Sequence, residues 1–338
     1  MTAVTDVRPA PPAVPRAFPR LERLAERVLR VERGANVFPI GHVLCYVALL
    51  ASCLSPFGPR AWWTAAPAIV LLTLLNYSAT VGVLHMHAHR PLFVSRLPNR
   101  LADLVCCFPC MLSATEMRVM HVSHHHRFDN GPRDVTSTVG YETGGRAVWY
   151  WLRFPWRVKA ACVDEILRRA DSPARRTRRR QLLFDEAVVI GTVTALTVAW
   201  PYPMLAFYWL PFVLTLLTSG YFAWLTHAPA TGRAGDSASI NTVGNVLNFF
   251  VFNQGFHSVH HRYPGIHWTE IPDKLAILLD VDDDVVVSYW VTLDTAWRIA
   301  APERFREPEF GAAWKRRLAA RLATGSCRSR LLPYFVKV

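Results

Sequence analysis

The sequence predicts an all-α integral membrane protein with four transmembrane helices, further re-entrant or interfacial helices, and a histidine-rich cytoplasmic cap. Three observations predict this fold class. Hydrophobic residues make up 51% of the chain and form long apolar runs. Stretches dense in arginine separate these runs and contribute to a net charge of +13. Ten of the 13 histidines fall into three short clusters. Apolar runs that alternate with basic loops are typical of multi-pass membrane proteins.

Four segments are apolar enough to span a bilayer, for which about 20 residues are needed. They are approximately residues 37–54, 62–84, 187–200 and 204–226. The third is short, and the Pro201–Tyr202–Pro203 break predicts a tight reversal into the fourth, so we interpret the pair as a helical hairpin. The apolar runs at 101–113 and 241–252 are too short to span and predict re-entrant or interfacial elements.

The chain divides into three predicted regions. In residues 1–36, the first 19 lack an apolar core and predict disorder. Apolar residues then recur at helical spacing between Leu21 and Val31, which predicts an amphipathic helix on the membrane surface. We assign residues 37–290 to the membrane domain and residues 291–338 to a basic cytoplasmic tail.

The distribution of arginine predicts the orientation of the spans. Seven arginines precede the first span, and the stretch from Arg146 to Arg180 is denser still. The link between the first two spans holds only Arg60, and the Pro201–Pro203 reversal holds no charge. By the positive-inside rule, both termini and the central loop are cytoplasmic.

The excess of basic residues could instead indicate a nucleic-acid-binding protein. No recognition motif accompanies it, and the arginines cluster beside apolar spans. We therefore interpret them as topology signals and as contacts to anionic headgroups of membrane lipid, and expect no nucleic-acid partner.

The three histidine clusters are HMHAH at 85–89, HVSHHH at 121–126 and HSVHH at 257–261. The predicted topology brings all three to one membrane face. The first cluster lies where the second span emerges, the second in the following cytoplasmic segment, and the third shortly after the fourth span. His227 marks the cytoplasmic end of that fourth span.

The spacing within each cluster predicts which imidazoles converge. Residues three and four apart share one face of a helix, so HxxxH and HxxHH each aim their side chains together. We expect His87 and His126 to point away and His42 to be an ordinary interfacial residue. The predicted metal ligands are His85, His89, His121, His124, His125, His227, His257, His260 and His261.

Nine imidazoles exceed what one metal can hold but suit two. Nitrogen ligands exclude magnesium and calcium, which need oxygen. They permit zinc, copper or iron. Iron at a pair of sites fits best and copper is the alternative, because a structural zinc needs only four ligands and no cysteine thiolates accompany the imidazoles.

As a combined pattern, the boxes resemble the membrane fatty acid desaturase–hydroxylase family over roughly residues 37–275. The third box in its context, NQGFHSVHHRYPGIHW, is similar to the final box of that family. The resemblance implies a non-haem di-iron centre that uses O2 to cleave an unactivated C–H bond. It implies as ligands the eight box histidines named above, with His227 in the place of a further family histidine. Animal acyl-CoA desaturases carry asparagine four residues earlier, where this chain has Ala223, which argues against kinship with that branch.

Metal-bound imidazoles usually donate their second N–H to a carboxylate or carbonyl. Asp134 is the first candidate, because an acidic residue follows the second box in members of the family. Asp129, Glu116 and Glu270 also lie near the boxes. We expect His267 to pack beside the site without binding metal. Asn253, at the start of the third-box context, is a further second-sphere candidate.

These observations together predict an oxygen-dependent desaturase. The substrate would be an acyl lipid, acyl-CoA or an acyl chain on acyl carrier protein. The chain has no haem, flavin or ferredoxin-like motif, so electrons would come from an external ferredoxin or cytochrome b5-like protein with its reductase.

Three other functions were weighed against it. A hydroxylase on the same scaffold is the nearest, because the histidine boxes do not separate the two reactions. A membrane metal-binding or transport protein is less favoured, because transporters place ligands near the bilayer midplane. A zinc hydrolase would need the glutamate of an HExxH motif, which HMHAH lacks.

Overall fold

The computed structural model describes residues 16–168, 171–231, 239–281, 286–288, 312–326, 328 and 333–336. The described chain is mostly helical. Its two strands, Ile240–Thr242 and Val286–Ser288, pair in parallel with Ile240 opposite Val286. The predicted disordered stretch 1–19 and the predicted tail 291–338 lie in large part outside the described residues.

Within the described residues, four helices are long and apolar enough to cross a membrane, as predicted. In chain order, spans 1 to 4 are Gly34–Leu54, Trp62–His89, Pro173–Ala199 and Pro201–His227. Their inner faces pack into one core that includes Tyr46, Leu72 and Tyr208. Large apolar side chains remain exposed on the outer faces, among them Leu44 and Val198. A helix that is apolar on both faces is typical of a membrane span.

Span 3 begins earlier than the sequence predicted. The apolar run starts near residue 187, but the helix starts at Pro173, within the arginine cluster. Ser172 caps it by accepting a hydrogen bond from the Arg175 amide at 3.3 Å. Arginine has high helix propensity, so the basic stretch continues the helix beyond its apolar part.

Shorter helices surround the spans. They are Pro19–Leu24, Arg96–Cys107, Ala114–Met117, His126–Phe128, Gly144–Arg168 (called the cap helix below), Asn245–Val251, His257–Arg262, Ile271–Val281 and Ala312–Ala323. The helix Arg96–Cys107 occupies much of the first segment predicted to be re-entrant or interfacial. Its Arg100 pairs with the buried Asp185 of span 3, which attaches this helix to the spans.

A short helix lies within the amino-terminal segment in which the sequence predicts an amphipathic surface helix. Pro19–Leu24 continues into a π-helical turn at Ala25–Leu29. Its apolar Leu21, Leu24 and Val28 are exposed, whereas Glu22 is buried against the protein. An outward apolar face of this kind suits the surface of a membrane.

Two π-helical segments adjoin the histidine boxes. Ser78–Leu84 ends directly before His85, and Arg118–His125 contains most of the second box. The first segment has a close neighbour, because a Cβ on Gly82 would lie only 2.7 Å from the Phe250 carbonyl oxygen. Glycine at this position therefore lets the chain before the third box pack directly against span 2.

Candidate metal centre

The structure brings nine imidazoles together in two groups. Within each group, one ring nitrogen of every histidine lies within 4.8 Å of the others. Cluster A consists of His85, His89, His121, His126 and His260. Cluster B consists of His125, His227, His257 and His261. Span 2, the second box, span 4 and the third box thus meet at the same end of the helices, as the sequence predicted.

Cluster A has ring nitrogens that face one another at short range. The Nε2 atom of His260 lies 2.9 Å from that of His85, 3.0 Å from that of His121 and 2.9 Å from that of His126. The ring centroid of His89 lies 4.7–4.9 Å from those of His121, His126 and His260.

Cluster B is built in the same way from four residues. The Nε2 atom of His227 lies 3.1 Å from that of His125 and 2.9 Å from that of His257. The Nε2 atom of His261 lies 3.1 Å from His125 and 3.2 Å from His257. All four rings are buried or nearly so. The third box therefore contributes to both clusters, His260 to one and its neighbour His261 to the other.

The nitrogen atoms of both clusters fit metal ions. Burial and then the neighbouring imidazoles lower the pKa of His126 to about 2, and they hold the pKa values of His121 and His260 well below the usual range. These three rings are therefore neutral near pH 7 and present lone pairs, as metal binding requires. His89 Nε2 and His257 Nδ1 are buried without a hydrogen-bond partner among the described residues. A cation in each cluster would bind the nitrogen lone pairs, which otherwise face and repel one another.

The structure corrects the predicted geometry of the second box. His126, expected to point away, lies in cluster A, whereas His124 lies outside both clusters. The His124 Nε2 atom instead pairs with Glu165 at 2.6 Å. The cause is the π-helical segment Arg118–His125, in which residues five apart lie above one another, so that His121 and His126 share a face.

Asp134 contacts His125 of cluster B, as predicted, through the ring nitrogen that faces away from the cluster. Its Oδ2 atom lies 2.8 Å from His125 Nδ1. Thr136 adds a hydroxyl 2.9 Å from the same nitrogen. Burial by itself raises the pKa of Asp134, but the hydrogen bonds that it accepts from His125 and Thr136 outweigh burial and lower that pKa. Asp134 is therefore ionised at neutral pH and orients the His125 ring.

Two other histidines of the clusters, His261 and His85, also have a partner for their Nδ1 atom. Asp129 Oδ1 lies 3.1 Å from His261 Nδ1, in agreement with the expectation that Asp129 lies beside the site. In cluster A, His85 Nδ1 lies 3.2 Å from the carbonyl oxygen of Val81, one helical turn earlier. A carbonyl oxygen can only accept a hydrogen bond, so the nitrogen facing it must carry the proton. This contact therefore places the proton of His85 on Nδ1 and leaves Nε2 unprotonated.

Two other acidic candidates have different partners. Glu116 forms a capping box with Ser113 and binds Lys159 at 3.0 Å. Glu270 pairs with Arg33. Neither contacts a histidine of the two clusters, because each is already paired with a cation.

His267 and Asn253 support the loops around the site. His267 uses both ring nitrogens, with Thr269 at 2.8 Å and Asn36 at 3.0 Å, so it packs beside the site as expected. Asn253 donates to the carbonyl oxygens of Trp268 and Tyr334 at 3.0 and 2.9 Å. It thereby holds the turn that precedes the third box.

Of the three histidines predicted to point away or to be ordinary interfacial residues, His42 and His87 lie outside both clusters. His42 contacts Ser78 at 2.8 Å and packs against Phe249 and Phe252. His87 is buried beside Asp103, with 3.2 Å between Nε2 and Oδ1.

Sequence reasoning missed His126, Thr136 and Glu165 as residues of this region. The three adjacent histidines at 124–126 could have indicated His126, because a small change in helical twist decides which of the three face the clusters. Nothing in the local sequence marks Glu165, which reaches His124 from the cap helix.

An apolar cavity of about 190 Å³ adjoins both clusters. At the histidine end it is lined by His85 and His121 of cluster A and by His125, His227 and His257 of cluster B. From there it follows span 4 as far as Phe212. Phe212 precedes His227 by about four helical turns, or about 22 Å at about 1.5 Å per residue.

Comparisons with known proteins give one result. Residues 60–293, well over half of the chain, match the family model described as Fatty acid desaturase. No curated protein matches the chain.

Proposed function

The chain belongs to the fatty acid desaturase family, and from this premise we propose that it is a membrane enzyme that introduces a C=C bond into an acyl chain with consumption of O2. The observation that carries the proposal is the apolar cavity, because its inner end is formed by ligands of both clusters. A long apolar chain in this cavity would have only a few of its carbons beside the histidines.

The lining of the cavity supports an apolar chain as its occupant. Along span 4 the wall is formed by Phe212, Leu216, Phe222 and Ala223, and Met111 and Met120 face them from the second-box side. Apolar walls exclude water from the reacting carbons, which protects an oxidation from side reactions. Narrow regioselectivity follows, since the depth of the cavity decides which carbons reach the histidines.

Two iron ions would occupy the clusters, one held by His85, His89, His121, His126 and His260 and the other by His125, His227, His257 and His261. This set keeps eight of the nine ligands proposed from the sequence and exchanges His124 for His126. When bound, such a pair supplies the activation of O2 needed to oxidise an unactivated C–H bond. Asp134 and Thr136 orient His125, and Asp129 orients His261.

Desaturation has a definite balance. Two hydrogen atoms leave adjacent carbons, and O2 becomes two molecules of water with two further electrons and two protons from outside. The described residues hold no haem or iron–sulfur ligand set, so we propose an external donor, a ferredoxin or a cytochrome b5-like protein with its reductase. Exposed Arg127, Arg133 and Arg262 lie next to the partly exposed Asp129–His261 pair and suit an acidic donor.

The proposed donor contact has a simple test. Turnover with a saturating reductase should fall as salt rises, because salt screens the attraction between exposed charges. Full turnover with NAD(P)H and the isolated chain alone would contradict the need for a donor.

We further propose that both termini and the metal centre face the cytoplasm. The histidine ends of spans 2 and 4 adjoin the arginine-rich segments, whereas the opposite ends carry Trp62, Trp200 and Tyr202. An engineered cysteine at Gly144 should react only from the cytoplasmic side, and one at Gly58 or Tyr202 only from the outside. The reverse pattern would overturn the orientation.

The clusters are less well explained by metal transport. Spans 2 and 4 end in His89 and His227 and contain 28 and 27 residues. At about 1.5 Å per residue, each is about 40 Å long, beyond the about 30 Å of the hydrocarbon core. The histidines therefore lie at helix ends, whereas transporters bind their ions near the midplane.

Expression in a host without such enzymes, followed by mass spectrometry of its lipids, tests the reaction. A new double bond at one position, absent with a His260→Ala variant, is the expected result. Isotopically labelled O2 separates the alternatives, because a hydroxylase of the same family scaffold would retain one labelled atom in its principal product. Retained label would refute desaturation and establish hydroxylation.

A further inference from the structure

The inner face of the cap helix Gly144–Arg168 packs closely on span 4. Trp151 packs edge-on against Tyr221 and Trp224, with ring centroids 5.1 and 5.6 Å apart. The approach depends on Gly220, because a Cβ there would lie 2.8 Å from the Trp151 carbonyl oxygen. The cap helix therefore lies against the histidine-side part of span 4, a few residues before His227.

The outer face of the cap helix is also apolar. Trp149, Leu152 and Trp156 follow one another at helical spacing and are 52%, 46% and 63% exposed. Three large apolar side chains in a stripe on a surface helix indicate contact with a membrane or a partner. The stripe is on the helix that packs against span 4 a few residues before its histidine end, and an apolar stripe near the end of a span suits contact with the bilayer interface.

Arginines accompany this stripe. Arg146 and Arg153 are exposed and lie seven residues apart, as do Trp149 and Trp156. The Arg153 guanidinium lies 5.4 Å from the centre of the Trp149 ring. Arginine beside tryptophan on an interfacial helix favours anionic headgroups over uncharged ones. This charge complementarity identifies lipid as the occupant of the outer face.

Trp156 connects this outer face with the cavity. It lines the cavity together with Pro155 and Lys159, yet most of its side chain is exposed. Among the described lining residues, Lys159 is the one lysine or arginine, and its ammonium already binds Glu116 and Glu186 at 3.0 and 2.9 Å. The lining itself thus offers no unpaired lysine or arginine to the phosphates of a soluble thioester carrier, and the exposed Arg146 and Arg153 lie outside it, on the apolar outer face of the cap helix.

We infer that the cavity is entered sideways from the bilayer, past Trp156, by an acyl chain that remains attached to an intact membrane lipid with an anionic headgroup. Arg146 and Arg153 hold the headgroup at the surface while the chain passes between the cap helix and span 4 towards the histidines. This inference rests on the proposed function and deepens it by naming the form of the substrate.

Photo-crosslinking in nanodiscs tests the route with the full chain. The probe is phosphatidylglycerol with a diazirine at the end of one acyl chain, diluted in phosphatidylcholine. Matched arms use phosphatidylcholine and acyl-CoA that carry the same labelled chain. We expect phosphatidylglycerol to label cavity residues such as Met111 and Phe212, more strongly than phosphatidylcholine does. Peptide mass spectrometry reads the labelled positions.

Two variants of exposed residues complete the test. Trp156→Lys places a charge at the mouth and should lower cavity labelling about tenfold, because a charge among apolar chains is costly. Trp63→Lys is the matched control, a tryptophan of span 2 that is 64% exposed and lies outside both the cavity lining and the cap helix, and it should leave labelling unchanged.

Other results would contradict the inference in distinguishable ways. Cavity labelling by acyl-CoA alone, with the lipids confined to outer surfaces, would overturn the sideways route and leave the proposed function intact. Equal labelling by the two phospholipids would overturn the anionic preference. No cavity labelling by any probe would contradict both the route and the proposed function.

Discussion

Clusters A and B both consist of imidazoles whose ring nitrogens face one another. They differ in the groups that contact the second nitrogen of these rings. In cluster B, His125 is backed by Asp134 and His261 by Asp129. In cluster A, none of the five histidines contacts a carboxylate within the described part of the chain, and His85 relies on the Val81 carbonyl. Cluster A has five imidazoles and cluster B four.

The comparison predicts two ways in which the clusters would hold a metal. A carboxylate that accepts from the second nitrogen of an imidazole fixes its tautomer and raises its basicity, so that fewer ligands would suffice. Where no carboxylate is present, the number of imidazoles and the helix geometry would have to hold the ion. The π-helical twist of the second box provides the additional imidazole of cluster A, since it brings His126 inward.

The largest effect is expected from His126→Ala. Removal of a direct ligand should weaken metal binding in cluster A by more than the about 10–100-fold that changes behind a ligand typically cause. Iron measured by elemental analysis after dialysis against a chelator should fall from two per chain towards one. Activity should be lost with it.

The matched control is His124→Ala, two residues away in the same box. Its ring contacts Glu165 outside both clusters, so both irons should remain. If His124→Ala loses iron and His126→Ala keeps it, the ligand set proposed from the structure is wrong and the one predicted from sequence is right.

A smaller and selective effect is expected from Asp134→Asn. Loss of the charge behind His125 should weaken cluster B by about 10–100-fold and leave cluster A unchanged. Titration with a competing chelator should then show two separate phases of iron release. Glu165→Gln, which alters the partner of His124 outside both clusters, serves as the control. Equal weakening of both clusters would show that Asp134 acts on the fold rather than on one metal.

The smallest effect is expected from Asp129→Asn. Its side chain is 40% exposed, whereas that of Asp134 is fully buried, so water and salt screen its charge. Iron release from cluster B should become only a few-fold easier, and the difference from the wild type should shrink at high salt. An effect as large as that of Asp134→Asn, and independent of salt, would contradict this ranking.

The sequence by itself determined the four spans, the meeting of the three boxes at one end of the helices and most of the histidines that form the two clusters. The hydrophobic length of a span is a property of a whole segment, so it is readable without tertiary structure. The HxxxH spacing of the first box and the HxxHH spacing of the third also sufficed. Each lies on ordinary α-helix, where residues three and four apart share a face.

Only the tertiary structure decided the remaining points. Whether His124 or His126 joins cluster A depends on a π-helical twist that the local sequence does not predict. The start of span 3 at Pro173 depends on arginines that hydropathy counts against a span but that helix propensity tolerates. The cavity and its mouth at Trp156 exist because the cap helix lies against Gly220 of span 4. Such features arise from contacts between segments distant in sequence, and the periodicity within one segment does not predict them.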